Sequence, residues 1–276
     1  MVLIAQISDL HLRPRGLTAL GRVETNTLAR RAVDRLLALP QRPDAVIVSG
    51  DVAEAGDPRE YEMALEILGR LPMPVHVIPG NHDDRAAMAA ALVAPGWVAA
   101  TADGGLQFDA EVGPVRLLGL DSLVPGAGHG ELGAARLAWL EARLAEAPER
   151  PTLVAIHHPP RRTGLPMDPI GLTDDDAFAA VIARHPQVAL IVAGHVHRPI
   201  VMGFAGTVCI TAPGVAHQLE VDFAPDAPAL YNLEPPGFML HLWNAAGGFA
   251  SHVMQVERAE GPFDFRIAEG ASWPGY

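Results

Sequence analysis

Seven side chains in five separated clusters carry the chemistry of this sequence. The clusters are Asp9-Leu10-His11, Gly50-Asp51, Gly80-Asn81-His82-Asp83, His157-His158 and Gly194-His195-Val196-His197. Carboxylate, amide carbonyl and imidazole together form an oxygen and nitrogen donor set that suits Zn, Mn, Fe or Co. Residues i and i+2 of an extended segment point to one side, so Asp9 with His11, and His195 with His197, are expected to act as ligand pairs. The glycines before Asp51, Asn81 and His195 let the backbone turn tightly and come close to whatever is bound. Asp9, Asp51, Asn81, His11, His157, His195 and His197 are too many ligands for one ion and suit two that share a bridging carboxylate. Two divalent ions against two carboxylates leave positive charge over. That excess attracts a phosphodiester anion, and a metal-activated water with a pKa near ~7 supplies the nucleophile.

Short apolar runs rich in Val and Ile precede these clusters: Val2–Ile7, Ala45–Val48, Val75–Ile78, Leu153–Ile156 and Ala189–Val192, with Val115–Leu120 as a further run. Each ends at a polar or glycine-containing turn, as buried strands do. Helical spacing marks Thr25–Leu39, Arg59–Leu71 and Leu132–Leu144. Alternating strands and helices predict an α/β fold, in which strand C-terminal ends share one edge and bring distant residues together. The last quarter differs. Thr207–Thr211, Phe238–Trp243 and Ser251–Val256 read as strands without helices between them, expected to form a second sheet. The proline-rich stretch Phe223–Gly237, with Leu230 and Tyr231, reads as an irregular loop.

Composition narrows the partners. The 276 residues carry a formal net charge of −12, every basic side chain is Arg, and the single cysteine is Cys209. Such a surface disfavours nucleic acid polymers and anionic membranes, and an intrachain disulfide or a cysteine-rich zinc module is excluded. No apolar run is long enough to span a bilayer and none reads as a signal peptide, so a cytoplasmic protein is expected.

In order and element for element, the five clusters resemble the signature of the calcineurin-like metallophosphoesterases over about the first 200 residues. His157-His158-Pro159-Pro160 with Met167-Asp168-Pro169-Ile170, and Pro213-Gly214-x-x-His217-Gln218, resemble more closely the bacterial class III cyclic-nucleotide and glycerophosphodiester phosphodiesterases. The resemblance implies a four-layer αββα sandwich. The chain is expected to form a single domain over 1–276, with the proline-rich segment as a cap or oligomerisation loop at 218–237. The resemblance implies one divalent metal (Fe, Mn, Zn or Co) on Asp9, His11, Asp51 and His197. A second would sit on Asp51, Asn81, His157 and His195, with Asp51 bridging. His82 and His217 would face the substrate phosphate, with Asp51 and Asn81 in the catalytic centre. The expected activity is hydrolysis of small phosphodiesters by a homo-oligomer. The alternatives are a phosphomonoesterase or nucleotide pyrophosphatase of the same fold, or a scaffold without catalysis.

The remaining polar residues receive plainer expectations. His158 either supports a neighbouring ligand or is structural, and His76, His129, His185, His241 and His252 are core-edge or surface residues. Asp83 and Asp84 start a helix, where the macrodipole favours acids. Asp168 either orients a ligand histidine or holds a turn, Asp174-Asp175-Asp176 opens a helix, and Cys209 is a buried strand residue.

Overall fold

The computed structural model describes residues 1–263; positions 264–276 of the expected span lie outside the described residues. In chain order the first half holds β1 (Val2–Ile7), α1 (Thr25–Leu37), β2 (Ala45–Ser49), α2 (Pro58–Leu68), β3 (Val75–Ile78), α3 (Arg85–Leu92), β4 (Ala99–Ala100), β5 (Leu106–Val112), β6 (Val115–Leu120) and α4 (Gly133–Ala145). The second half holds β7 (Thr152–Ile156), α5 (Asp175–Ile182), β8 (Val188–Ala193), β9 (Val201–Phe204), β10 (Thr207–Thr211), β11 (Gln218–Leu219), β12 (Tyr231–Asn232), β13 (Gly237–Asn244) and β14 (Gly248–Gln255). The expected strands and helices therefore form within a few residues of their apolar runs. The four-residue edge strand β9, interrupted by Gly203, and the two-residue β11 and β12 are too short to show a hydrophobic pattern that could be read from sequence.

One sheet runs β14-β13-β1-β2-β3 and the other β4-β5-β6-β7-β8-β10-β9. Strands β1, β2 and β3 are mutually parallel, as are β6, β7, β8 and β10. Three apolar layers separate four structural layers. α1, α2 and α3 pack on the first sheet through Leu36, Tyr61, Ile67 and Met88. The sheets meet face to face through Ile4, Ile47, Ile78, Leu117, Leu153 and Val192. α4 and α5 cover the second sheet through Leu140, Leu144 and Phe178, and buried Cys209 lies there too. This is the α/β, four-layer sandwich the resemblance implied.

Two expectations change. The strands of the last quarter do not build a sheet of their own: β13 pairs antiparallel with β1 and carries β14, whereas β10 joins β8 in the other sheet. Likewise the strand ends that carry the polar clusters belong to two sheets, β1, β2 and β3 in the first and β7 and β8 in the second. Packing of one apolar face against another sets this division, and a local sequence pattern does not encode it.

Candidate metal centre

Each cluster follows directly on the C-terminal end of a parallel strand, and the strand ends of both sheets open onto one place. Gln6 bolts the sheets there, its Nε2 donating to Ser49 Oγ at 2.8 Å and to the Ala193 carbonyl at 2.9 Å. The donor atoms of Asp9, His11, Asp51 and His197 all lie within 4.8 Å of one another, and all four residues are buried. The remaining expected ligands close the other side. His157 Nε2 is 3.4 Å from Asp51 Oδ2 and 3.1 Å from Asn81 Oδ1, and His195 Nδ1 is 2.9 Å from Asn81 Oδ1.

The chain takes these turns in an unusual conformation. Asp9 (φ +56°), His11 (+46°), Asp51 (+48°), His195 (+69°) and His197 (+49°) all occupy the left-handed region. The i, i+2 pairs are therefore not extended, contrary to the expectation, although each still delivers both side chains to the cluster. Such backbone costs of order 1–3 kcal/mol per residue and persists where the surroundings over-determine it, most often at functional sites. Close approach explains two glycines. A Cβ on Gly80 would stand 2.2 Å from Asp51 Oδ1, and one on Gly50 would stand 2.2 Å from His157 Nδ1.

Hydrogen bonds on the far side of each ring set its orientation. His11 Nδ1 donates to Glu54 Oε2 at 2.7 Å, His157 Nδ1 to the Ser49 carbonyl at 2.8 Å and His197 Nδ1 to the His217 carbonyl at 2.8 Å. With the proton held at Nδ1, Nε2 of each ring presents a lone pair inward. His11 Nε2 and His197 Nε2 then face each other at 3.1 Å, and His197 Nε2 is 3.4 Å from Asp9 Oδ1. Asp9 and Asp51 each accept a backbone N–H at Oδ1, from His195 and His82, while the buried Asp9 Oδ2 has no partner. Acceptors thus converge on acceptors. Ligand atoms ~2.1 Å from a shared ion stand roughly 3.0–3.4 Å apart, so these spacings suit cations between them. The residues fit divalent cations.

Electrostatics point the same way. Burial, joined by the Asp51 charge, raises the Asp9 carboxyl above its ordinary range. Burial also opposes ionisation of Asp51, but the facing His157, His82 and His11 outweigh it and hold Asp51 well below that range. Burial lowers His157, yet Asp51 and Asp9 push it up to about 9; the carboxylates call for positive charge at this point. Burial, with His157 for one ring and His11 for the other, takes His195 and His197 down to about 3, which keeps both neutral as ligands must be.

Around the ligands lies a cavity of about 200 Å³ lined by His82 and His217 and walled by Leu20, Met167, Leu219, Leu230 and Tyr231. His82 Nδ1 donates to the Glu54 carbonyl at 2.8 Å, which leaves Nε2 unengaged. His217 packs at a tilt against His197 with ring centroids 4.5 Å apart and edge to face with Tyr231 at 5.1 Å, and its buried Nδ1 has no partner. Burial and the neighbouring His197 and His11 lower its pKa to about 3. Both rings therefore face the cavity beside the ligand cluster.

The signature from Val2 to Pro199 matches the family model for calcineurin-like phosphoesterases, residues 2–199. The chain belongs to the calcineurin-like phosphoesterase family. A protein of Arcobacter nitrofigilis named probable glycerophosphodiester phosphodiesterase is 31% identical, with 98% of each chain covered. The glycerophosphodiester phosphodiesterase of Enterobacter lignolyticus is 34% identical over 87% of this chain and 86% of its own. The 3′,5′-cyclic adenosine monophosphate phosphodiesterase of Escherichia coli K12 is 31% identical over 79% of this chain and 78% of its own. The crystal structure of a dimetal phosphatase from Danio rerio shares the fold, with a TM-score of 0.63 at 17% identity over 93% of this chain and 99% of that one.

For a calcineurin-like phosphoesterase, several supporting residues escaped the sequence reading. Asp83 does not start a helix. It is buried and accepts from the backbone of Gly80, Val52 and Ala53 and from Tyr61 Oη, clamping the Asp51 loop to the Asn81 loop. Burial, with the Asp51 charge, raises its pKa to about 6. Asp84 does cap α3, accepting from the Ala87 amide. Asp168 orients no ligand histidine; it holds a turn by accepting from Thr163 and Gly164. Asp174 opens α5 but turns its carboxylate to the amides of Leu132 and Gly133 at the start of α4. His158 is structural as expected, its two ring nitrogens meeting Ser122 Oγ and the Gly128 carbonyl. Glu54, three residues beyond Asp51, carries no local signal of the contact it makes with His11.

Proposed function

We propose that this calcineurin-like phosphoesterase is a binuclear-metal phosphodiesterase that hydrolyses small phosphodiesters such as cyclic nucleotides or glycerophosphodiesters. The observation that carries this reading is the convergence of inward lone pairs from His11, His157 and His197 on two buried carboxylates, with every Nδ1 engaged behind them. In this assignment Asp9, His11, Asp51 and His197 hold one ion and Asp51, Asn81, His157 and His195 the other. Bound there, divalent ions acidify water and neutralise charge on a phosphoryl group. The attacking water would lose a proton to solvent as its oxygen bonds to phosphorus, the bond to the leaving oxygen would break, and that oxygen would take up a proton. His82 is the candidate donor: its Nδ1–H is committed to the Glu54 carbonyl, so it would give that proton from Nε2 as the doubly protonated ring. His217 would support a phosphate oxygen from beside His197.

The small cavity and its apolar wall suit a compact diester, and the relatives named for glycerophosphodiesters and cyclic nucleotides support that class. The test is kcat/KM of the metal-reconstituted protein on bis-(p-nitrophenyl) phosphate, its monoester, cyclic AMP and glycerophosphocholine. Diesters are expected to lead. Preference for the monoester, or full turnover of a diester by metal-stripped protein, would overturn the reading.

The loop 218–237 is proposed to cap the cavity and to join a second copy in a homo-oligomer. Leu230 and Tyr231 line the cavity, while Val221, Phe223, Leu230 and Leu233 are exposed apolar residues of the same segment. Shortening the loop should change both particle mass in solution and diester preference; no change in either removes the idea.

A further inference from the structure

Glu54 belongs to no expected ligand set, yet its side chain is only 15% exposed. A carboxylate so far from water is costly unless something positive or donating meets it. Among the described residues no arginine pairs with it; its side-chain partners are His11 Nδ1 at 2.7 Å and, more distantly, His82 Nδ1 at 4.0 Å. The backbone of the same residue holds His82, whose Nδ1 donates to the Glu54 carbonyl at 2.8 Å. His11 and His82 pack edge to face with centroids 4.7 Å apart, so one residue grips two adjoining imidazoles by different atoms.

We infer that Glu54 is a positioning residue that locks His11 with its proton at Nδ1 and its Nε2 toward the cluster, thereby setting the affinity of one of the two metal positions. The inference rests on the binuclear reading above. A hydrogen bond of 2.7 Å to a carboxylate is charge-assisted and fixes both tautomer and ring rotation. His157 and His197 are held by neutral carbonyls instead, at 2.8 Å each. The ring backed by an anion is the stronger donor to a cation, so the Asp9, His11, Asp51 and His197 position should depend on Glu54 and the other should not. The 2.7 Å separation is too short for an ion between Glu54 and His11, whose own bonds would each need ~2 Å at a wide angle.

The test titrates the metal-free full-length protein with Co²⁺, followed by visible absorption and equilibrium dialysis, for wild type, Glu54→Gln, Glu54→Ala and His11→Ala. Glu54→Gln keeps an acceptor without the charge and Glu54→Ala keeps neither. Affinity at one position is expected to fall by about 10-fold and about 100-fold respectively, with the second position unmoved. In a His11→Ala background the Glu54 changes should have no further effect, an outcome that a general loosening of the fold would not give. Hydrolysis at limiting Co²⁺ should follow occupancy, with kcat lowered more than KM is raised. Equal weakening of both positions, unchanged affinity, or a raised KM with normal metal binding would each overturn the inference while leaving the binuclear reading in place. A wild-type protein that binds no Co²⁺ would instead remove that reading itself.

Discussion

At the scale of single residues, the site is a set of rings and carboxylates whose outer atoms are tied down so that their inner atoms cannot turn away. Asp51 is the ligand shared between both proposed positions, with Oδ2 within 3.8 Å of His11 Nε2 and 3.4 Å of His157 Nε2. Asp51→Ala is therefore expected to reduce bound metal from two equivalents to one or fewer and kcat/KM by at least about 100-fold, beyond what loss of a supporting contact costs. Metal analysis beside kinetics checks this, and two retained equivalents would contradict it. Gly80→Ala makes a sharper steric probe. Its Cβ would lie 2.2 Å from Asp51 Oδ1 and 2.5 Å from the Asp51 amide nitrogen, so Asp51 must move and activity should fall by an order of magnitude or more. Gly203→Ala, with nothing within 4 Å of the added carbon, should leave activity unchanged. Ligand types and their order were legible because the chemistry demands them close to strand ends. Glu54 and Asp83 were not, since an acid near a ligand looks the same whether it caps a helix, faces water or turns inward.

At the scale of elements, the strands do more than end at the site; their pairing holds it shut. β13 lies against β1, and there His241 is fully buried, with Nε2 donating to Gln6 Oε1 at 3.1 Å and Nδ1 accepting from Ser251 at 2.8 Å. Gln6 is the residue that ties Ser49 to Ala193 across the two sheets. Burial, and then the nearby His252, takes His241 from 6.5 down to about 3. The unfolded chain gains a proton on this ring below about 6.5, whereas the folded chain gains it only near 3. Between those values the unfolded state holds more protons, so stability falls as pH falls, by about 1.4 kcal/mol per pH unit for this group. His241→Gln, which keeps a donor for Gln6, should flatten Tm against pH in that window; an unchanged slope would show that His241 does not carry it. His241 read as an ordinary core-edge or surface histidine because nothing local in Phe238–Trp243 reveals which strand lies beside it.

At the scale of the whole molecule, two sheets that share one apolar interface also share one cluster of unpaired acceptors at its edge, with β1, β2 and β3 on one side and β7 and β8 on the other. Ions bound there should cross-link the sheets. Each is expected to add about 2.7 kcal/mol at a hundredfold excess over its Kd, so chelation should lower Tm as well as abolish hydrolysis. Thermal unfolding with and without added Mn²⁺ checks this; an unmoved Tm would separate the cluster from any metal role. No helix among the described residues is long and apolar enough to cross a membrane. The amino-acid sequence by itself determined the alternating strands and helices, the donor types and their order, because apolar period and ligand chemistry are local properties. Only the tertiary structure decided that β13 closes on β1, that the ligand turns run left-handed and that Glu54 stands behind His11. Those outcomes depend on which surfaces pack together, and packing joins residues that no spacing along the chain connects.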